Sequence, residues 1–199
     1  ILQYRNYYGI YKVADHPLDP DNKMRLDRSK KAPILRTLWH GSTVHGAQII
    51  HPDTQKYPIS YYHGEGPLKD VFSETTEPRN VAIIGLGVGA CSTYFKEGES
   101  ITFYELDQDI VNIAENFFFY LADCPAKVKM EVGDARIQLE QEAPDHSYDI
   151  IMVDAFSSDS IPTHLLTKEA FSLYEKKLAP QGKLVFHITN RYYDLLGVI

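Results

Sequence analysis

Four acidic positions in the second half of the chain have the types and spacing to grip a nucleoside and a cation. They are Glu105 and Asp107 in "FYELD", Asp134 in "VGDA" and Asp154 in "VDAFSSD", with Asp159 five residues further on. Each follows a short apolar run, which places it at a strand end. Carboxylates accept hydrogen bonds from hydroxyls and amines and oppose ammonium groups. Upstream, "NVAIIGLGVGA" sets Gly85, Gly87 and Gly89 at alternate positions, a GxGxG between a buried strand and a predicted helix. Missing side chains there let a ligand approach the backbone and the helix amides. A GxGxG also occurs purely to pack a helix against a strand. Glu105, 16 residues beyond Gly89, is close to the acidic position that grips ribose hydroxyls in nucleotide-binding α/β folds. On a strand, Glu105 and Asp107 face the same way. Asp134 suits the exocyclic amine of an adenine, and Asp154 ends the fourth strand, at the edge where open α/β sheets bind ligands.

The elements that must position these residues are legible in the hydrophobic rhythm. Residues 1–73 carry short β-branched and aromatic runs, "YYGIYKV", "ILRTLWHGS", "VHGAQII" and "ISYYHG", broken by Asp-Pro, Gly and Asn clusters. This predicts a small antiparallel β domain. The polar stretch "DHPLDPDNKMRLDRSKK" reads as a long hairpin connection with a solvated surface. Residues 74–199 alternate short apolar runs with longer segments. Val81 to Ile84 and Ile150 to Val153 are continuous apolar runs, the mark of strands covered on both faces. The expectation is a Rossmann-like, doubly wound, mostly parallel α/β sheet. A helix with Lys168, Glu169 and Lys176 on its polar side and Phe171, Leu173, Tyr174 and Leu178 in its apolar stripe follows the fourth strand. "PQG" is then expected to turn the chain into the fifth strand.

Composition narrows the function. A net charge of -7 over 199 residues argues against a nucleic-acid surface and is compatible with cationic ligands. Cys91 and Cys124 are far apart without a CxxC, so both read as packing residues in a reducing compartment. No stretch approaches the roughly 20 apolar residues that cross a bilayer. The beginning at Ile1 and the ending "LLGVI" read as an excised soluble segment, with the C-terminal strands of such a sheet missing and an edge that a partner or the lost segment would cover.

His40, His45, His51 and His63 cluster in the β domain, but no carboxylate or cysteine completes a ligand set at a familiar spacing, so no metal is expected. His187 reads either as lining the cleft or as a satisfied buried histidine. "NFFFYL", at a helix end, is read as core, and no Ser/His/Asp or Cys/His arrangement suggests a hydrolase.

The order "IIGLGVGA", "YELD", "GDA" and "YDIIMVDAFSSD" resembles the class I S-adenosylmethionine-dependent transferase fold, and more closely the spermidine synthase (polyamine aminopropyltransferase) family, over residues 78 to about 190. The resemblance implies that Glu105 and Asp107 meet the ribose, Asp134 with Ala135 meets the adenine, and Gly85, Gly87 and Gly89 line the cofactor. It also implies that Asp154 is beside the reacting amine, with Asp159 and Tyr61 on the substrate side. Tyr62 as a catalytic residue and Gln48 as a cofactor contact match the family's N-terminal tyrosine and glutamine loosely. Two departures stand out. Val88 occupies the place of an aspartate that holds the aminopropyl amine, and the "DxxDP" signature is stretched, with its proline at Pro162.

The implied reaction is displacement at carbon next to a sulfonium by a neutral amine, which requires removal of a proton. An ordinary aspartate, near pKa 3.9, is a poor base for an ammonium, so Asp154 would need burial or a relay through a Tyr hydroxyl or water. The expected co-substrate is decarboxylated S-adenosylmethionine, or S-adenosylmethionine itself, with a polyamine such as putrescine as acceptor. A homo-oligomer in the cytoplasm, alone or as the soluble domain of a membrane-fused protein, completes the expectation. Methyl transfer on the same fold, a non-catalytic nucleoside-binding domain and, less favoured, an NAD-dependent oxidoreductase are the competing readings.

Overall fold

The computed structural model describes residues 2–18, 32–73, 78–155 and 162–188. The chain forms two compact units whose sequence bounds interleave. The first comprises Ile1–Glu74, Gly87–Tyr94 and Asn112–Cys124; the second comprises Thr75–Leu86, Phe95–Val111 and Pro125–Ile199.

The first unit is built on a four-stranded antiparallel sheet, β1 (Leu2–Arg5), β2 (Ile10–Pro17), β3 (Ile34–His40) and β4 (Thr43–Ile50), paired in sequence order. Asn6 forms the first turn, its side-chain oxygen accepting from the backbone N–H groups of Tyr8 and Gly9. Residues 19–31, within the predicted hairpin connection, lie outside the described residues, and the strands they link are antiparallel partners. Tyr11, Val13, Ala14 and Leu38 fill the core of this unit. Asp15 and Arg36, directly opposite in register, form a two-pronged pair at 2.7 and 2.8 Å. The guanidinium hydrogen bond holds the Asp15 carboxyl below its ordinary pKa. The run "ISYYHG" is not a strand. Ser60–Tyr62 is a 3-10 turn that follows Pro58, with Ser60 at φ 63°, and a proline-led, left-handed entry is incompatible with strand pairing. The helix α1 (Pro67–Ser73) follows.

The second unit holds five parallel strands, β5 (Asn80–Ile84), β6 (Ser100–Glu105), β7 (Lys127–Val132), β8 (Tyr148–Val153) and β9 (Leu178–Phe186), in the spatial order β7-β6-β5-β8-β9. Val81–Ile84 and Ile150–Val153 are at most 2% exposed, as strands covered on both faces require. The helices of this unit are α3 (Ala135–Glu142) and α4 (Lys168–Lys177), while α2 (Gln108–Phe117) starts in this unit and has its residues from Asn112 onward in the first. One core joins Ala82, Ile84, Tyr104, Leu139, Ile151, Val153, Ala170 and Tyr174. Strand order reverses between β5 and β8, the switch point at which such sheets open a crevice beyond their carboxyl ends.

Two local expectations change. The segment after the glycines is a five-residue 3-10 helix, Ala90–Tyr94, in which Thr93 Oγ1 donates back to the Ala90 carbonyl and the side chain of Ser92 donates to the Tyr120 carbonyl. Hydroxyl side chains that bond nearby backbone compete with a regular helix. "PQG" does not separate helix from strand either. Pro180–Gly182 is absorbed in β9 as an irregularity, where the register with β8 shifts between Tyr148 and Ile150.

Candidate active site at the carboxyl edge of the parallel sheet

Gly85 leaves β5 with φ 98°, and a Cβ on it would come 2.4 Å from the Asp154 carbonyl oxygen. Glycine is therefore required for the ends of β5 and β8 to approach, before any ligand is considered. Gly87 (φ 56°) and Gly89 (φ 79°) also have left-handed backbones. They belong to the first unit, where a Cβ on Gly89 would meet Leu121 at 2.8 Å.

At the end of β6, the Glu105 carboxylate is fixed by two backbone donors, Leu86 N–H to Oε2 at 3.0 Å and Asp107 N–H to Oε1 at 3.0 Å. Burial raises its pKa against the lowering effect of those amides. Asp107 does not share the strand face with Glu105. The strand stops at Glu105, and Asp107, 5% exposed, accepts from Asp109 N–H at 2.9 Å across the first turn of α2. An aspartate just before a helix finds unpaired amide donors within reach, and that local demand ends the strand alternation.

Asp134 likewise caps α3, Oδ1 accepting from Arg136 N–H at 2.9 Å and Ile137 N–H at 3.3 Å. Its Oδ2 lies 3.4 Å from His164 Nε2, while Arg136 donates to the His164 carbonyl at 3.0 Å. Ala135 is the first residue of α3 and is buried. Among the described residues of this unit, the large apolar side chains that stay exposed are Leu106, Val132 and Ile137. They stand at the ends of β6 and β7 and in the first turn of α3, the same edge as the carboxylates.

Asp154 follows β8. Its backbone N–H donates to the Ile84 carbonyl at 2.9 Å, and its carboxylate Oδ1 lies 2.6 Å from His187 Nδ1, with the two side chains 3% and 16% exposed. Asp159 lies outside the described residues.

In the first unit, Gln48 is fully buried. Its Nε2 donates to the Gln55 carbonyl at 2.8 Å, and its Oε1 accepts from Phe119 N–H at 2.9 Å. In the fold this amide ties β4 to two loops. The Tyr61 and Tyr62 rings lie 4.3 Å apart. Tyr94 steadies their turn by donating to the carbonyls of Tyr62 and His63. Val88 is 2% exposed, and its methyl carbons would lie 2.5 and 2.7 Å from a Cβ on Gly46. The isopropyl group thus fills the space that Gly46 leaves. Among the described residues no group of three or more His, Cys, Asp and Glu side chains is placed to hold a metal ion.

Sequence reasoning missed His164 and the apolar edge, and left His187 undecided. An apolar residue between two acids, as in "ELD", is a signal for Leu106. Nothing in the sequence pairs His164 or His187 with its carboxylate.

Parallel strand order, glycine turn and strand-end acids together define the class I S-adenosylmethionine-dependent transferase fold. The same architecture is seen in a crystal structure described as a probable spermidine synthase from Corynebacterium glutamicum. That protein aligns with a TM-score of 0.67 at 20% identity, over 92% of this chain and 62% of the other. Residues 69–194 match the model of the spermine/spermidine synthase domain family, and the chain belongs to that family. It is 31% identical over 124 residues to the polyamine aminopropyltransferase of Vibrio vulnificus, covering 59% of this chain and 41% of that protein. It is 32% identical over 120 residues to a protein named probable polyamine aminopropyl transferase from Bifidobacterium longum, covering 59% and 25%. The chain therefore spans less than half the length of these relatives.

Proposed function

We propose that this chain carries the nucleoside-binding and amine-activating half of an aminopropyltransferase, which uses decarboxylated S-adenosylmethionine and a polyamine acceptor of the putrescine type. The observation that carries the reading is that an amide-fixed Glu105 and an Asp154 whose side chain is buried against His187 end the two strands that flank β5 at the sheet's switch point. Family membership supports the same chemistry. The set of acceptors suits a sulfonium nucleoside. Glu105 accepts from the Leu86 and Asp107 N–H groups, and a carboxylate oriented in this way suits a ribose hydroxyl, since its two oxygens offer about four acceptor sites. Asp134 Oδ2 takes no backbone donor in capping α3, which suits an adenine amine. Leu106, Val132 and Ile137 offer apolar surface to a base.

The residues' work is to orient and to neutralise. Glu105 fixes the sugar, and Asp154, held against His187, gives the amine side of the site its negative charge. Asp159 is assigned to the amine substrate as part of the same proposal, and residues 74–199 to nucleoside binding. Calorimetric titration of the purified protein with decarboxylated and intact S-adenosylmethionine tests it. Tighter binding of the decarboxylated form is expected, together with transfer to a diamine. Preference for the intact form, with no transfer to any amine, overturns it.

Methyl transfer is the second reading, favoured by Val88. With an apolar residue packed against Gly46, the glycine loop offers no carboxylate to select an aminopropyl ammonium. In that case the intact nucleoside binds at least as tightly.

A further inference from the structure

We propose that Asp154 and His187 form a dyad in which His187 takes the proton from the incoming nucleophile through Nε2, and Asp154 is the positioning residue behind it. The proposal deepens the reading of the site as an amine-activating one and rests on it. The two residues follow neighbouring strands. His187 N–H donates to the Val153 carbonyl at 3.0 Å and Asp154 N–H to the Ile84 carbonyl at 2.9 Å, so both side chains start from backbone tied into the sheet's carboxyl edge. Their Nδ1 to Oδ1 separation is 2.6 Å, and the aspartate is 3% exposed. A carboxylate can only accept, so Nδ1 carries the proton and the basic lone pair of the neutral ring is at Nε2. The carboxylate then also stabilises the imidazolium that forms when Nε2 is protonated.

This resolves the difficulty of basicity. A carboxylate is several pKa units too weak to accept a proton from an alkylammonium, whereas an ordinary imidazole lies between the two, and proton transfer is more effective when the mismatch is smaller. The step balances as follows. The ammonium R–NH3+ gives one proton to Nε2, and the freed lone pair forms the new N–C bond at the carbon next to sulfur. The C–S bond breaks with its electrons going to sulfur, leaving a neutral thioether. The product nitrogen is a secondary ammonium, and the proton on the imidazole passes to solvent.

The alternative role for the pair is a clamp between β8 and β9, and the two roles separate in kinetics. In H187Q, affinity for the sulfonium nucleoside is expected to stay within about twofold, while kcat near neutral pH falls about 10²–10⁴-fold. The variant should then recover about tenfold per pH unit as the amine loses its proton unaided. A loss that is equal at every pH, or no loss, overturns the proposal. A second measurement does not depend on turnover. The ¹⁵N spectrum of His187 should show the Nδ1–H tautomer in the wild-type protein and lose that preference in D154N. An Nε2–H tautomer in the wild type overturns the dyad whatever the enzyme transfers. Absence of transfer from either sulfonium nucleoside to any amine, alongside an Nδ1–H tautomer, overturns the aminopropyl reading and supports the dyad.

Discussion

The two ends of the same parallel sheet are built on opposite principles. At the amino end, polar groups satisfy one another. Arg79 and Glu99 pair with their side chains 3% and 1% exposed, and Glu99 also accepts from Lys96 N–H at 2.7 Å. Asn80 donates to Asp149 and to the Ser147 carbonyl and accepts from Ser100. Despite the desolvation of burial, the Arg79 contacts hold Glu99 below its ordinary pKa. At the carboxyl end, the acids are fixed by backbone amides and imidazoles, and burial pushes Glu105 upward instead. Exposed apolar side chains stand beside them. A closed network contributes to folding. Carboxylates held in place with acceptor capacity to spare are what a ligand with hydroxyl, amine and cationic groups requires.

Breaking the amino end should have the largest effect on stability. R79M leaves a buried carboxylate without its counter-charge, an expected loss of about 3–5 kcal/mol, read from the urea midpoint. If nucleoside affinity fell while the midpoint did not move, the two ends would not be distinct in the way described. At the carboxyl end the order of effects should reverse. D154N should lower kcat about 10²–10⁴-fold with the midpoint little changed, as steady-state kinetics and denaturation run in parallel will show.

A smaller effect is expected of E105A. Losing a charged hydrogen-bond acceptor for ribose costs about 1.5–3 kcal/mol, seen as a weaker Kd by calorimetry with kcat at saturation retained.

The smallest effect is a proton count. Glu105 has a raised folded pKa, so its contribution to stability is fully present below the ordinary glutamate range and is lost as pH rises through the folded value. Hydroxyl donors favour the ionised form. Nucleoside binding at a pH between the ordinary and the raised value should therefore release a fraction of a proton, measured by calorimetry in buffers of different ionisation enthalpy. Proton uptake would contradict the assignment.

How far the site could be read from sequence depended on the range of the interactions. Glu105, Asp134 and Asp154 follow apolar runs, and strand period with chain order is enough to bring them to one edge. Asp107 was misassigned to the strand face because a cap is a competition between neighbouring backbone amides, which periodicity does not report. The amide of Gln48 joins Gln55 and Phe119, the latter 71 residues away, a pairing no local pattern encodes. "ISYYHG" and the helix after the glycines failed for a third reason. Composition favoured one element, while Pro58, a left-handed Ser60 and hydroxyl side chains favoured tight turns.

The sequence by itself determined the antiparallel and parallel sheets, the chain order of the strands and the glycine and acid positions. These follow from local periodicity and from the steric limits of glycine. The tertiary structure decided which strand ends become neighbours, and with that the close approach of Gly85 to Asp154, the Asp134 contact with His164 and the Asp154–His187 pair. Those depend on β5, β8 and β9 lying side by side, an arrangement set by packing the whole sheet between its coverings and not by any single segment.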